Sequence, residues 1–174
     1  MAALAAEFLA PRFRGALADV ARRLSNGDVP FVVGGSAMLA ARGLDVTVGD
    51  LDICTTGDRL DAVATALESL NPVVRREPPP PWRSTWLVRA AFPGDVTAVD
   101  VIGDLAIDVD GAVARFPVAF DHADVIDVAG VAVAFDSMWR WYHLYTVHNP
   151  ARAAQIAAIA GTGDLENAAT ELGL

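Results

Sequence analysis

Apolar residues recur at helical spacing from Leu4 to Leu24 (LAAEFLAPRFRGALADVARRL), with Pro11 placed to divide or open the helix. The run Ser25-Asn26-Gly27-Asp28 then stops it. Val29–Val33 is a short β-branched run with the character of a buried strand, and it leads through Gly34-Gly35 into a helix-like stretch, Ser36–Arg42. Val46–Thr56 predicts a second strand, and Asp58–Leu70 an amphipathic helix with Asp58 as its N-cap. The prolines at 72, 78, 79, 80 and 81 predict an extended loop from Pro72 to Trp82. Trp86–Phe92 and Thr97–Leu105, separated by Pro93-Gly94-Asp95, predict an antiparallel hairpin. Further β-like segments fall near 112–120 and 125–135, the latter turning at Ala129-Gly130. Asp136-Ser137 should cap an aromatic-rich helix running to His148, and Pro150 should open another. Gly161-Thr162-Gly163 sets off a short C-terminal helix. A strand–helix–strand start followed by hairpins implies a mixed sheet flanked by helices, of α/β (α+β) class. With no repeat and no long linker, the expectation is one domain over 1–174, its core at about 28–135 and its C-terminal helices at about 136–174.

Composition strengthens this picture. The chain has 174 residues, 53% hydrophobic and 20% charged, against roughly 45–50% and about 25% for average globular chains. Disorder is excluded, and a substantial core is implied. All 13 basic residues are arginine, and 22 acidic residues leave a net charge of −9. That balance argues against broad electrostatic adhesion to nucleic acid, although a local arginine cluster could still bind it. The single cysteine, Cys54, excludes an intramolecular disulfide and any Cys-based zinc site. No apolar run approaches the roughly 20 residues that span a bilayer. The N-terminal stretch carries Glu7 within its apolar part and its positive charge after it, the wrong order for a signal peptide, so a cytoplasmic protein without membrane contact is expected.

Three segments carry candidate chemistry. At Val33-Gly34-Gly35-Ser36, a strand feeds a helix through two glycines. Free backbone N–H groups and the helix dipole there suit a phosphate, and the Ser36 hydroxyl could add a donor; a plain tight turn with a good N-cap is the alternative. Asp50-Leu51-Asp52 in a strand sends two carboxylates to one face. Their repulsion is relieved by a divalent cation such as Mg²⁺, or by solvent if the strand end is exposed. Asp100 interrupts the apolar run Thr97–Ile102, where a charge is costly unless paired or metal-bound; Asp104, Asp108 and Asp110 are competitors for the same role. A phosphate cradle, a carboxylate pair and a third carboxylate are the parts of two-metal phosphoryl transfer.

The stretch Phe31–Ile53, FVVGGSAMLAARGLDVTVGDLDI, resembles the signature of the DNA polymerase beta-type nucleotidyltransferase superfamily: a strand ending in Gly-Gly, a short helix, then Asp-x-Asp on the next strand. Its Gly-Gly-Ser-Ala form is similar to the bacterial abortive-infection and toxin–antitoxin nucleotidyltransferases, and to small antibiotic nucleotidyltransferases. The order of elements extends the likeness to about residue 160. The resemblance implies that Gly34, Gly35 and Ser36 hold the triphosphate of an NTP. It implies that Asp50, Asp52 and Asp100 are catalytic and bind Mg²⁺, with two ions expected, and that Arg140 contributes to nucleotide binding. The implied reaction moves an NMP to a hydroxyl acceptor, either an RNA 3′ end in a toxin–antitoxin setting or a small molecule such as an antibiotic. Before the acidic pair this chain has Asp45-Val46-Thr47-Val48-Gly49 where relatives often carry an Arg and a Thr or Ser. Ala153 follows Arg152 where toxin-type relatives carry an acid. The alternative implied is a catalytically silent relative acting as an antitoxin or nucleotide-binding partner.

Other residues have both plain and functional readings. Trp139, Trp141, Tyr142, His143, Tyr145 and His148 fall in one helix, as a packing face or as an aromatic platform for a nucleobase or an acceptor ring. His122, in Asp121-His122-Ala123-Asp124, reads as a loop turn rather than a metal site. Cys54 reads as a small buried side chain. Arg75, Arg76, Arg83 and Arg89 form the densest positive region, as a solvated loop or as a phosphate-holding cluster.

Overall fold

The structure is a computed structural model that describes residues 4–92 and 97–160. The expected turn Pro93-Gly94-Asp95 and the helix after Gly163 lie outside the described residues.

Helix α1 (Pro11–Asn26) has Pro11 at its first turn, so the proline opens the helix rather than dividing it. Phe13, Leu17, Val20, Ala21 and Leu24 form its buried stripe, which packs on the sheet's β8–β9 end and on α3. Strand β1 (Val32–Val33) passes directly into α2 (Gly35–Ala41). Next come β2 (Asp50–Thr55), α3 (Leu60–Ala66), β3 (Val73–Arg75), β4 (Trp86–Ala91) and β5 (Ala98–Gly103). A hairpin, β6 (Ala106–Val109) with β7 (Ala112–Arg115), stands apart as its own two-stranded sheet. The hairpin β8 (Asp124–Val128) with β9 (Val131–Phe135) turns at Ala129-Gly130, as the sequence predicts, and α4 (Met138–His148) and α5 (Pro150–Ala160) follow.

Seven strands form one mixed sheet in the order β3-β4-β5-β2-β1-β9-β8. At its centre β2 runs parallel to β5 and antiparallel to β1. Leu51 and Ile53 are fully buried on one face of β2, so Asp50 and Asp52 must face the other way. β4 pairs antiparallel with β5, as expected for the segments on either side of the turn. No helix among the described residues is long and apolar enough to cross a membrane.

Several boundaries differ from expectation for identifiable reasons. β2 starts at Asp50 rather than Val46, because its ladder with β5 begins at the Asp50–Ala98 pair. Asp58 is not the cap of α3: it sits in a preceding 3₁₀ turn, and its carboxylate accepts a hydrogen bond from Thr56 Oγ1 at 2.5 Å. The proline-rich segment is not all loop, since β3 adds an exposed edge strand beside β4. The expected strand at 112–120 stops at Arg115 and belongs to a hairpin with β6. Its signal was the dipeptide Asp110-Gly111, where both residues adopt positive φ (52° and 85°).

The start of α4 is held by two residues with different tasks. Ser137 caps the helix by accepting from the Trp139 N–H at 3.3 Å. Asp136 is fully buried and accepts from Arg140 Nε, Trp141 Nε1 and its neighbour's N–H, at 2.7, 2.7 and 2.8 Å.

Candidate active site

The parallel register of β2 and β5 places Asp52 directly beside Asp100, and Asp50 projects from the same face as Asp52. One carboxylate oxygen from each of the three lies within 4.8 Å of the others. The sheet thus assembles the two sequence signals that lay some fifty residues apart. Of the competitors for the third position, Asp104 accepts from Gly57 N–H and Thr85 Oγ1, and Asp108 pairs with Arg83 at 2.9 Å. Neither joins the cluster, whose third member is Asp100.

Among the described residues, one arginine faces this group. Arg89 lies opposite Asp100 on β4 and forks onto both of its oxygens, Nε at 2.6 Å and Nη2 at 2.5 Å. One guanidinium against three carboxylates leaves the cluster with excess negative charge. Burial and the neighbouring Asp100 raise the Asp50 carboxyl above its ordinary range. Asp52 is pushed up to about 7, first by burial and then by Asp50 and Asp100. The donor set is three hard oxygen ligands held together against their own repulsion, which fits a divalent cation such as Mg²⁺.

The glycine pair presses against this cluster. Gly34 donates its N–H to the Asp52 carbonyl at 2.8 Å. A Cβ on Gly34 would lie 2.0 Å from the Trp141 ring, so its bareness lets α4 close over the sheet. Gly35 has φ +58°, and a Cβ there would stand 2.0 Å from Asp52 Oδ2. Gly35→Ala is therefore expected to cost about 1–2 kcal/mol from backbone handedness alone, and to displace the Asp52 carboxylate as well. A thermal melt with and without Mg²⁺ checks it: both the melting temperature and the metal response should fall. Ser36 is half-buried in the first turn of α2.

Beside the carboxylates opens a cavity of about 260 Å³. Its floor continues down the same sheet face through the cross-strand pair Leu87 and Ile102, two residues along from Arg89 and Asp100. One wall is Trp82, on the chain leading to β4; the other is α4, through Trp141, Tyr145 and His148. The His148 ring lies against Trp82 with centroids 4.9 Å apart. Within the aromatic helix Trp141 is buried in packing, and Trp141, Tyr145 and His148 also border the cavity.

Arg140 is not brought to this cavity. It is 2% exposed, forms an ion pair with Asp136 and donates through Nη1 to the Phe116 carbonyl at 2.6 Å. The arginine at this helical position braces the base of α4. His122 sits in a 3₁₀ turn at the surface, and Cys54 is a buried thiol pushed up to about 12, chiefly by burial. In the arginine cluster Arg83 pairs with Asp108, Arg75 and Arg76 are exposed, and Arg89 alone reaches the carboxylates. The placement of Arg89 was available from alternation, since Leu87 and Arg89 share a face of β4. The role of Trp82 was not, because a loop carries no periodicity.

No protein-family model and no curated protein matches this sequence. Solved structures do. A candidate nucleotidyltransferase from Thermotoga maritima superposes with a TM-score of 0.68 at 22% identity, over 84% of this chain and 91% of that one. The antibiotic-resistance factor ANT(2″)-Ia matches in its solution structure with a TM-score of 0.60 at 15% identity, over 91% of this chain and 89% of its own. Its crystal structure with adenylyl-2″-tobramycin gives 0.60 at 16%, over 93% and 97%. The chain therefore has the nucleotidyltransferase fold, with the mixed sheet and flanking helices that the resemblance implied.

Proposed function

We propose that this protein is a Mg²⁺-dependent nucleotidyltransferase that moves a nucleoside monophosphate from an NTP to a hydroxyl acceptor and releases pyrophosphate. The carrying observation is the convergence of Asp50, Asp52 and Asp100 within 4.8 Å, on a sheet whose neighbours in structure are nucleotidyltransferases. Asp50, Asp52 and Asp100 would hold the ions, whose chemistry is to neutralise the phosphates and acidify the acceptor hydroxyl. The Trp141 ring packs where a Gly34 side chain would stand and the Asp52 carboxylate where a Gly35 side chain would, so both glycines bring the backbone close to Asp52, and with Ser36 they are the proposed partners of the triphosphate. Asp100 is the assigned proton acceptor. As the acceptor oxygen forms its bond to the α-phosphorus, the bond to pyrophosphate breaks and the acceptor proton passes to the Asp100 carboxylate. Arg89 fixes the Asp100 side chain in one orientation by its two-pronged contact. Antibiotic transfer is the precedent among the structural neighbours, through the tobramycin product bound to ANT(2″)-Ia.

The reading is tested by thermal melts with Mg²⁺ and a non-hydrolysable ATP analogue at pH 6 and pH 8. A ligand at 100 times its Kd adds about 2.7 kcal/mol, or roughly 5–10 °C for a chain of this size. The shift should be larger at pH 8, because protons compete with the metal for Asp52, whose carboxyl titrates near 7. No shift, or an equal shift in Asp50→Ala/Asp52→Ala, contradicts the proposal.

A further inference from the structure

Resting on the nucleotidyltransferase reading, we infer that the cavity beside Asp100 is the acceptor site, and that it takes the flat, uncharged ring of a small alcohol rather than a polycation.

Position identifies the occupant. The glycine pair follows β1, on one side of the β2 carboxylates, whereas the cavity floor lies on β4 and β5, on the other side. A triphosphate held by Gly34 and Gly35 leaves the far side open. That side is also next to Asp100, the carboxylate that must meet the acceptor's hydroxyl. The volume of about 260 Å³ lies just below the roughly 300 Å³ at which ligand pockets start, and so suits one or two rings.

The walls identify the chemistry. Leu87 and Ile102 form an apolar floor, and Trp82 with His148 offers a tilted aromatic pair at the side. Ser84 contributes little polarity, because its buried hydroxyl already accepts from the Ala106 N–H at 3.1 Å. A polyamine would need acidic groups, yet the only acids bordering the cavity are the three aspartates assigned to the metal. Arg89 is already paired with Asp100, and the rest of the lining adds no further acid, so a cationic acceptor finds no free countercharge there. A neutral ring gains instead from apolar burial and from stacking on Trp82.

The test uses the full chain with Mg²⁺ and a non-hydrolysable ATP analogue, and 2-naphthylmethanol as the neutral ring alcohol. Calorimetric titration should show the alcohol binding to the loaded protein. Trp82→Ala should weaken it about tenfold, the scale of a lost stacking and burial contact, while Trp82→Phe restores most of the affinity. Binding of the ATP analogue should change less than about twofold in both variants, which also shows that they remain folded. Displacement of the alcohol by tobramycin or by a short RNA at lower concentration overturns the inference. So does a Trp82→Ala effect confined to the ATP analogue, which would put the nucleobase in the cavity. ATP-analogue binding without any alcohol binding defeats the acceptor assignment alone. Absence of Mg²⁺-dependent ATP-analogue binding defeats the nucleotidyltransferase reading, and this inference with it.

Discussion

Replacing Asp52 with asparagine is expected to abolish nucleotidyl transfer and, at the same time, to stabilise the metal-free protein. The two effects share one cause. Asp52 is largely withdrawn from water beside Asp50 and Asp100, and its carboxyl is pushed up to about 7. In the unfolded chain the same group titrates near 4. Between these values the folded state binds more protons than the unfolded one, so stability is fullest below about pH 4 and declines as pH rises through about 7. Asparagine has roughly the same shape and removes the charge. The metal-free variant should therefore gain about 1–3 kcal/mol at pH 8, or roughly 2–10 °C in Tm, and should lose much of the pH dependence between 4 and 8. Transfer should fall by about 10²–10³ or more, the scale of removing one electrostatic element from a preorganised site. Stabilisation by Mg²⁺ should vanish with it. Loss of both stability and activity would mean that Asp52 is a structural anchor.

Asp136→Asn should be the most destabilising single substitution at the base of α4. Asp136 and Arg140 are 0% and 2% exposed, and the same carboxylate also accepts from the Trp141 indole. Asparagine leaves the guanidinium without its countercharge in the core, which costs about 3–5 kcal/mol. The expected drop in Tm is roughly 6–20 °C by circular dichroism. Coupling Asp136→Asn with Arg140→Met should recover most of that loss, since no buried charge is left unpaired. If Arg140 instead contacts nucleotide, the double variant will be stable but will bind the ATP analogue weakly. A brace predicts affinity close to wild type.

Much of this arrangement was legible in the sequence because short-range rules governed it. Asp50-Leu51-Asp52 had to place both acids on one face once the segment was a strand, and the apolar Leu51 and Ile53 fixed which face. Gly34-Gly35 marked a close backbone approach, although the groups approaching, Trp141 and the Asp52 carboxylate, come from elsewhere in the chain. What depended on tertiary pairing was less accessible. Asp100 could not be separated from Asp104 and Asp108 by local pattern, and the β2–β5 register made the choice. Arg140 shows the opposite limit: the resemblance implied a nucleotide-binding role, whereas its setting in the fold is a buried ion pair with Asp136 that no local pattern reveals. Strand β6 is only four residues long and carries Asp108 within it, so its hydrophobic pattern is weak and the Asp110-Gly111 turn to β7 is its main local signal. Trp82 and the acceptor cavity depended on a loop folding back, which periodicity does not encode.

The most direct measurement incubates the purified protein with Mg²⁺ and each α-labelled NTP in turn. Total RNA, cleared lysate and small neutral alcohols serve as acceptors, with Asp50→Ala/Asp52→Ala as the control. The predicted result is label transferred to an acceptor with stoichiometric pyrophosphate, dependent on Mg²⁺ and lost in the control. Mg²⁺-dependent binding of NTP with no transfer to any acceptor, or transfer that survives in the control, would contradict the assignment of these carboxylates to nucleotidyl transfer.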